Sequence, residues 1–220
     1  GSALIARNDF RGSGREQGFI HFLLLRDTDA DMVGNAFRAA GGGEALTLRG
    51  VDGSLRFVNN TSVSTEIEGA AYGVIAGGES DILLQNNIFS HDGSGNGRAT
   101  VAADADAALS FRSNSFRGWK ALVERSTGGF SRVSGEEQGG LDALNGLLDF
   151  PGVSGEGNVS GSAPEALLSE GDGTPRLYQD APEINAGSHP PEDLPYRSLD
   201  LEGQRRPAPA DQGASRPGGD

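Results

Sequence analysis

Residues 90–98 read SHDGSGNGR, a stretch that sets His91 beside Asp92 with Arg98 close behind. A base, a carboxylate to orient it and a cation are the parts of a general acid–base site. The competing reading is a solvated surface loop, because neighbouring side chains seldom point the same way. A second set of residues is acidic. Asp27, Asp52, Glu79 and Asp106 fall at the same place in successive repeats, and Asp104 would share a strand face with Asp106. Calcium takes about six to eight oxygen ligands, which such a column and nearby loop carbonyls would supply. Against this stands the ordinary use of Asp as a turn former in water. His21 and His189 show no ligand spacing with His91, and there is no cysteine. A thiolate nucleophile, a structural disulfide and a cysteine zinc site are therefore excluded, and no transition-metal site is expected.

What would position these groups is a repeat. Asn8, Asn35, Asn60, Asn87 and Asn114 recur at nearly equal intervals. Three places before them stand Ile5, Met32, Phe57, Leu84 and Phe111; five places before stand Ala3, Ala30, Leu55, Ile82 and Leu109. Apolar residues separated by one variable position mark a strand with one buried face. Two places after the asparagines stand Phe10, Phe37, Ser62, Phe89 and Phe116, a row with one exception. A second apolar segment recurs as HFLLL (21–25), ALTL (45–48), YGVIA (72–76) and ATVAA (99–103), with glycine-rich loops between units. A unit this short cannot bury its own apolar face, whereas stacked units can. The pattern predicts an all-β, right-handed parallel β-helix over residues 1–133. Asn is expected to occupy a left-handed bend between strands and to stack in a hydrogen-bonded ladder.

Composition agrees with a thin solenoid. Of 220 residues only 35 % are hydrophobic, 35 are Gly, and the net charge is −13. Such an acidic chain is a poor partner for nucleic acid, which needs clustered Lys and Arg. No apolar run approaches the ~18 residues of a membrane-spanning helix. The chain opens inside a repeating strand, which suggests the C-terminal part of a longer polypeptide.

After Asn114 the register fails. GLDALNGLLDF (140–150) sets Leu141, Leu144, Leu147 and Leu148 at helical spacing, suited to covering the end of the stack. A closing module is expected over 134–204 and a flexible Pro/Gly-rich tail over 205–220. Ala181-Pro182-Glu183-Ile184-Asn185-Ala186-Gly187 and Asp200-Leu201-Glu202-Gly203 lie within that module, and Asp211-Gln212-Gly213-Ala214 follows in the tail. This series resembles the C-terminal module of bacterial secreted right-handed β-helix proteins of the choice-of-anchor type. The resemblance implies a capped β-helix at the cell surface or outside the cell, and it is nearly silent on activity.

The reading at this level is a non-catalytic secreted or cell-surface module with a structural, adhesive or glycan-contacting role. A polysaccharide or cell-surface partner is expected, with calcium as the one candidate cofactor. The alternative is a polysaccharide lyase or glycoside hydrolase, in which Asp104, Asp106 and Arg112 or Lys120 would be recruited. Trp119, Tyr72, Tyr178 and Tyr196 are the aromatic residues available to stack on sugar, with corner packing the competing role for Trp119.

Overall fold

The computed structural model describes residues 1–13, 19–41, 44–67, 69–92, 97–126, 130–133, 138–146, 152–161, 167 and 187–196. The chain winds into a parallel β-helix whose coils each contribute three strands. The first coil holds β1 (Ser2–Ala6), β2 (Asp9–Ser13) and β3 (Phe19–Arg26). The second holds β4 (Asp29–Val33), β5 (Ala36–Ala40) and β6 (Glu44–Val51); the third holds β7 (Ser54–Val58), β8 (Thr61–Thr65) and β9 (Ala71–Gly77). The fourth holds β10 (Asp81–Gln85), β11 (Ile88–His91) and β12 (Gly97–Asp104); the fifth holds β13 (Ala108–Arg112), β14 (Ser115–Arg117) and β15 (Val123–Ser126). Then β16 (Phe130–Val133) turns back antiparallel on β15, and after α1 (Gln138–Leu144) a partial coil adds β17 (Val153–Glu156) and β18 (Val159–Ser160).

Three sheets of six strands result, running β1-β4-β7-β10-β13-β17, β2-β5-β8-β11-β14-β18 and β3-β6-β9-β12-β15-β16. Register keeps each residue type in its row. Ala3 pairs with Ala30, Ile5 with Met32, Met32 with Phe57, Leu84 with Phe57 and Phe111. From the second coil on, these inward side chains are fully buried. The phenylalanines stack along the axis, with Phe10–Phe37 ring centres 4.9 Å apart and Phe89–Phe116 at 5.8 Å. Ser62 breaks that row in the third coil. There Phe57 supplies the missing ring, 5.9 Å from Phe37 and 5.8 Å from Phe89. The space beside it holds a buried hydroxyl pair, Thr47 Oγ1 to Ser62 Oγ at 2.8 Å.

The corner between the first and second sheets has two residues in every coil, and the second is always Asn. The left-handed residue is the first of the two, not the Asn. Arg7, Gly34, Asn59, Asn86, Ser113 and Gly157 have φ between 52° and 66°. This corrects the expectation that the ladder residue takes the bend. The reason is visible in the bonding, because the Asn side chain turns inward and runs along the axis. From Asn35 onward each Oδ1 accepts from the backbone N–H of the preceding rung's Asn at 2.7 to 3.0 Å, Asn145 taking that place for Asn158. It also accepts from that Asn's Nδ2 at 2.9 to 3.2 Å. The second Nδ2 hydrogen reaches the carbonyl of Ile5, Met32, Phe57, Leu84 or Phe111 in the coil before.

The ladder is longer than five rungs. Asn158 is the sixth, 44 residues after Asn114 because β16 and α1 intervene. Asn145, just past α1, ends it by accepting from Asn158 and donating Nδ2 to Asn158 O at 3.0 Å. The helix is shorter than the leucine pattern implied and starts earlier; Leu147 and Leu148 lie outside the described residues. Gly146, at φ 73°, is the left-handed residue that stops it. Its last turn presses on β17, where a Cβ on Gly155 would sit 2.1 Å from Leu144 O. Leu144 and Ala143 close the core at this end. Arg125, in the buried row of Ala76 and Ala103, donates to the carbonyls of Ala105, Ala107 and Gly152. It thereby ties the returning chain to the last full coil.

Residues 187–196 lie along the outside of the asparagine corner. Ser188 N–H donates to Asn86 Oδ1 at 2.8 Å and Asn86 Nδ2 to Ser188 O at 2.7 Å. Farther on, Asp193 meets Arg56 at 2.5 Å and Leu194 is buried against Val33 and Val58. Of the expected module over 134–204, the motifs at 181–186 and 200–203 lie outside the described residues, as does the tail 205–220 with the motif at 211–214.

An interior rung should matter far more than the first. Asn87→Ala strands the N–H groups of Asn60 and the carbonyl of Phe57, so we expect a loss of about 3 kcal/mol; exposed Asn8→Ala should cost under ~1 kcal/mol. Urea unfolding midpoints of the two variants provide the comparison, and equal losses would contradict the ladder.

Candidate functional site

His91 is the last residue of β11, not part of a surface loop. Its register with Ser64, which pairs with Ala39, places it in an inward row, and the imidazole is completely buried. The ring lies 5.5 Å from the Trp119 indole, tilted by 53°. Trp119 is itself buried and donates Nε1–H to Phe89 O at 3.1 Å, so it serves the corner and offers no sugar platform. His91 Nδ1 faces Asp92 Oδ1 at 3.3 Å, and Asp92 Oδ2 accepts the Glu66 N–H. Burial pushes the imidazole below its ordinary value, the Asp92 carboxylate pulls it back up in part, and Lys120 lowers it further. His91 and Asp92 are thus brought together. Arg98 belongs to β12, and its side chain lies outside the described residues.

The acidic column does not run straight. Arg26 pairs with Val51 and Val51 with Gly77, so Asp27 stands over Asp52, and the next place is Gly78. The Asp52 carboxylate occupies the space a Cβ on Gly78 would need, with Oδ1 1.6 Å from that position. The first two turns at this corner have two residues, Asp27–Thr28 and Asp52–Gly53; the next two have three, Gly78–Ser80 and Ala105–Ala107. Glu79 and Asp106 are therefore one place out of line. Counting back from the asparagines hides the added residue. Asp27 and Asp52, with φ of 46° and 47°, are the left-handed turn residues of their coils. Asp104 accepts the Gly78 N–H at 2.8 Å. Among the described residues no three His, Asp or Glu side chains converge on a point that would hold a metal ion.

Other acids are held by donors across the coils. Asp29 accepts from Ser54 N–H and Oγ at 3.0 and 2.9 Å, which keep its carboxyl below the usual range. Asp31 takes Arg56 in a two-point contact at 2.6 and 2.7 Å. Those bonds, with Asp193, push the Arg56 guanidinium further up. At Asp9 burial acts to raise the carboxyl, but hydrogen bonds from Arg11 and Arg38 outweigh it and leave a lowered value. Asp9–Arg38 and Asp31–Arg56 join neighbouring coils on the outer faces, where ion pairs contribute little singly. Tyr196 is exposed, Tyr72 is half-buried and Tyr178 lies outside the described residues.

Residues missed by sequence reasoning are Asn158, Asn145 and Arg125. Asn158 carried a signal, since Val153 stands five places before it and Gly157 takes the left-handed place. Compared with protein-family models, curated proteins and solved structures, the chain gives no match.

The buried imidazole gives a pH dependence of known sign. The unfolded chain takes up a proton near pH ~6.5 that folded His91 resists. Its contribution is complete above that pH and is lost as pH falls toward the lower folded value. We expect stability to decline from pH 7 to 5, with a slope of up to about 1.4 kcal/mol per pH unit, and His91→Gln to flatten that slope. Asp9 and Asp29, both lowered, contribute above the ordinary carboxylate range of about pH 4 and lose their contribution only below it. Urea midpoints across the interval test this, and identical slopes in the two proteins would contradict it.

Proposed function

We propose that the chain is a non-catalytic, rigid β-helix module of a secreted or cell-surface bacterial protein, with a structural or adhesive role toward a polysaccharide or cell-surface partner. The observation that carries this reading is the employment of its interior polar side chains. The asparagines bond to one another along the axis, Arg125 binds turn carbonyls, and His91 is sealed under Trp119. These groups hold the stack together; none of them is aimed at solvent. The outer faces offer flat rows, such as Leu4, Asp31, Arg56, Leu83, Ser110 and Ser154, in which charges are matched between coils. No helix among the described residues is long and apolar enough to cross a membrane.

The rival is a carbohydrate-active enzyme. Incubation with acidic and neutral polysaccharides, followed by assay for unsaturated ends and new reducing ends, separates the two. We expect no release above the protein-free control. Sustained turnover abolished by His91→Gln or Asp92→Asn would replace the structural reading with a lyase or hydrolase.

A further inference from the structure

Val33 and Val58 end β4 and β7, one place after the inward Met32 and Phe57, on the outer side of the asparagine corner. They are nevertheless fully buried. With Leu194 they form a cluster separate from the interior core, and Ala6 packs at its edge. Register continues this row as Ala6, Val33, Val58 and Gln85, apolar in three coils and an amide in the fourth. Side chains along the row meet three features of residues 187–196. Asn86 holds the Ser188 backbone with both ends of its amide, and Gln85 Nε2 donates to Ser188 Oγ and His189 O at 2.8 Å. Arg56 takes the Asp193 carboxylate, while Val33 and Val58 take Leu194, the next residue. Pro190 and Pro191 favour an extended approach, ahead of a turn in which Leu194 N–H donates to Pro191 O.

Two observations set this segment apart from the fold it lies on. It supplies no strand to the three sheets and no rung to the ladder, so the stack is complete without it. It also leaves its groove partly unmet. The His189 carbonyl fixes the Gln85 amide so that Oε1, on a side chain only 2 % exposed, has no hydrogen-bond donor among the described residues. A buried acceptor left open weakens the hold of whatever covers it. The ion pair adds little, since the Asp193 side chain is 71 % exposed.

We propose that this row is a docking groove for an extended segment of a partner protein in which an acid is directly followed by leucine, and that residues 187–196 fill it in the isolated chain as a displaceable internal ligand. The Arg56 guanidinium selects the acid and the two valines select the leucine. Asn86 reads backbone whatever the side chain, as in other modes of extended-peptide recognition. A partner segment that also brings a donor to Gln85 Oε1 satisfies the groove better than the strap does. This goes beyond the structural or adhesive reading and does not depend on it.

The test titrates a fluorescent peptide of residues 187–196 against three forms of the full chain. Asp193→Ala with Leu194→Ala vacates the groove. Adding Asn86→Gly to that pair removes the backbone contact, and glycine suits the left-handed place, which Gly34 and Gly157 fill in other coils. By anisotropy we expect the peptide to bind the vacated chain about tenfold or more tightly than the unaltered chain, whose own strap competes at high local concentration. The form with Asn86→Gly should lose that binding, as should a peptide carrying Leu194→Ala. No binding to a vacated chain whose β7 and β10 amides stay protected would overturn the proposal, as would equal binding to all three forms. The unaltered chain gives a measurement that needs no variant. Its Ser188 and Leu194 amides should exchange by local opening, about a hundredfold or more faster than those of β7. Equal protection would make the segment a fixed part of the fold, and a concentration-dependent dimer would make a second copy the occupant; either result overturns the proposal. None of these readouts depends on the polysaccharide assay.

Discussion

A buried primary amide is stable only when its oxygen and both hydrogens find partners, and a single coil of this chain cannot provide them. That constraint organises the molecule. Asn35 needs a carbonyl from the coil before it and an Oδ1 from the coil after it, and so does each rung through Asn114. An unsatisfied group in such a place costs about 1–3 kcal/mol, comparable to the worth of a well-buried apolar side chain. The amides therefore resist separation of any two coils. They also fix register, since a slip of one residue would turn the apolar rows outward along with the asparagines.

Elsewhere the coil is permissive, which shows where the constraint lies. The asparagine corner keeps two residues in every coil, while the next turn toward it has two in some coils and three in others. A long excursion through β16 and α1 is accepted before Asn158, and the ladder resumes as if uninterrupted. The aromatic row behaves in the same way. It tolerates Ser62 because Phe57, from a different row, reaches the same line of rings. Shape is conserved at the axis, and sequence position is not. The strap at 187–196 adds a clamp from outside, with Leu194 packed in one buried cluster with Val33 and Val58.

Much of this was legible in the sequence because the constraint is periodic. Five asparagines with apolar residues at fixed distances define the first corner, the inward rows and the stacking direction. What could not be read has physical causes. The left-handed place belongs to the residue before Asn, where Arg7 and Ser113 give no compositional hint. His91 looked like a loop residue because its neighbours are polar and glycine-rich, yet strand register carries it inward under Trp119. Glu79 and Asp106 fell out of line because one added turn residue is invisible when counting from a single landmark. Asn158 was hidden by a broken period, although Gly157 and Val153 kept the local signature.

The central claim is that the asparagine amides form one continuous ladder, buried from Asn35 to Asn158 and closed by Asn145 beside α1. Hydrogen exchange of the side-chain Nδ2 protons, followed by nuclear magnetic resonance, reads this rung by rung. Asn35, Asn60, Asn87, Asn114 and Asn158 should exchange only through unfolding, at rates that track global stability, while Asn8 exchanges far faster. Fast exchange at Asn60 or Asn87 in the folded protein would contradict the account.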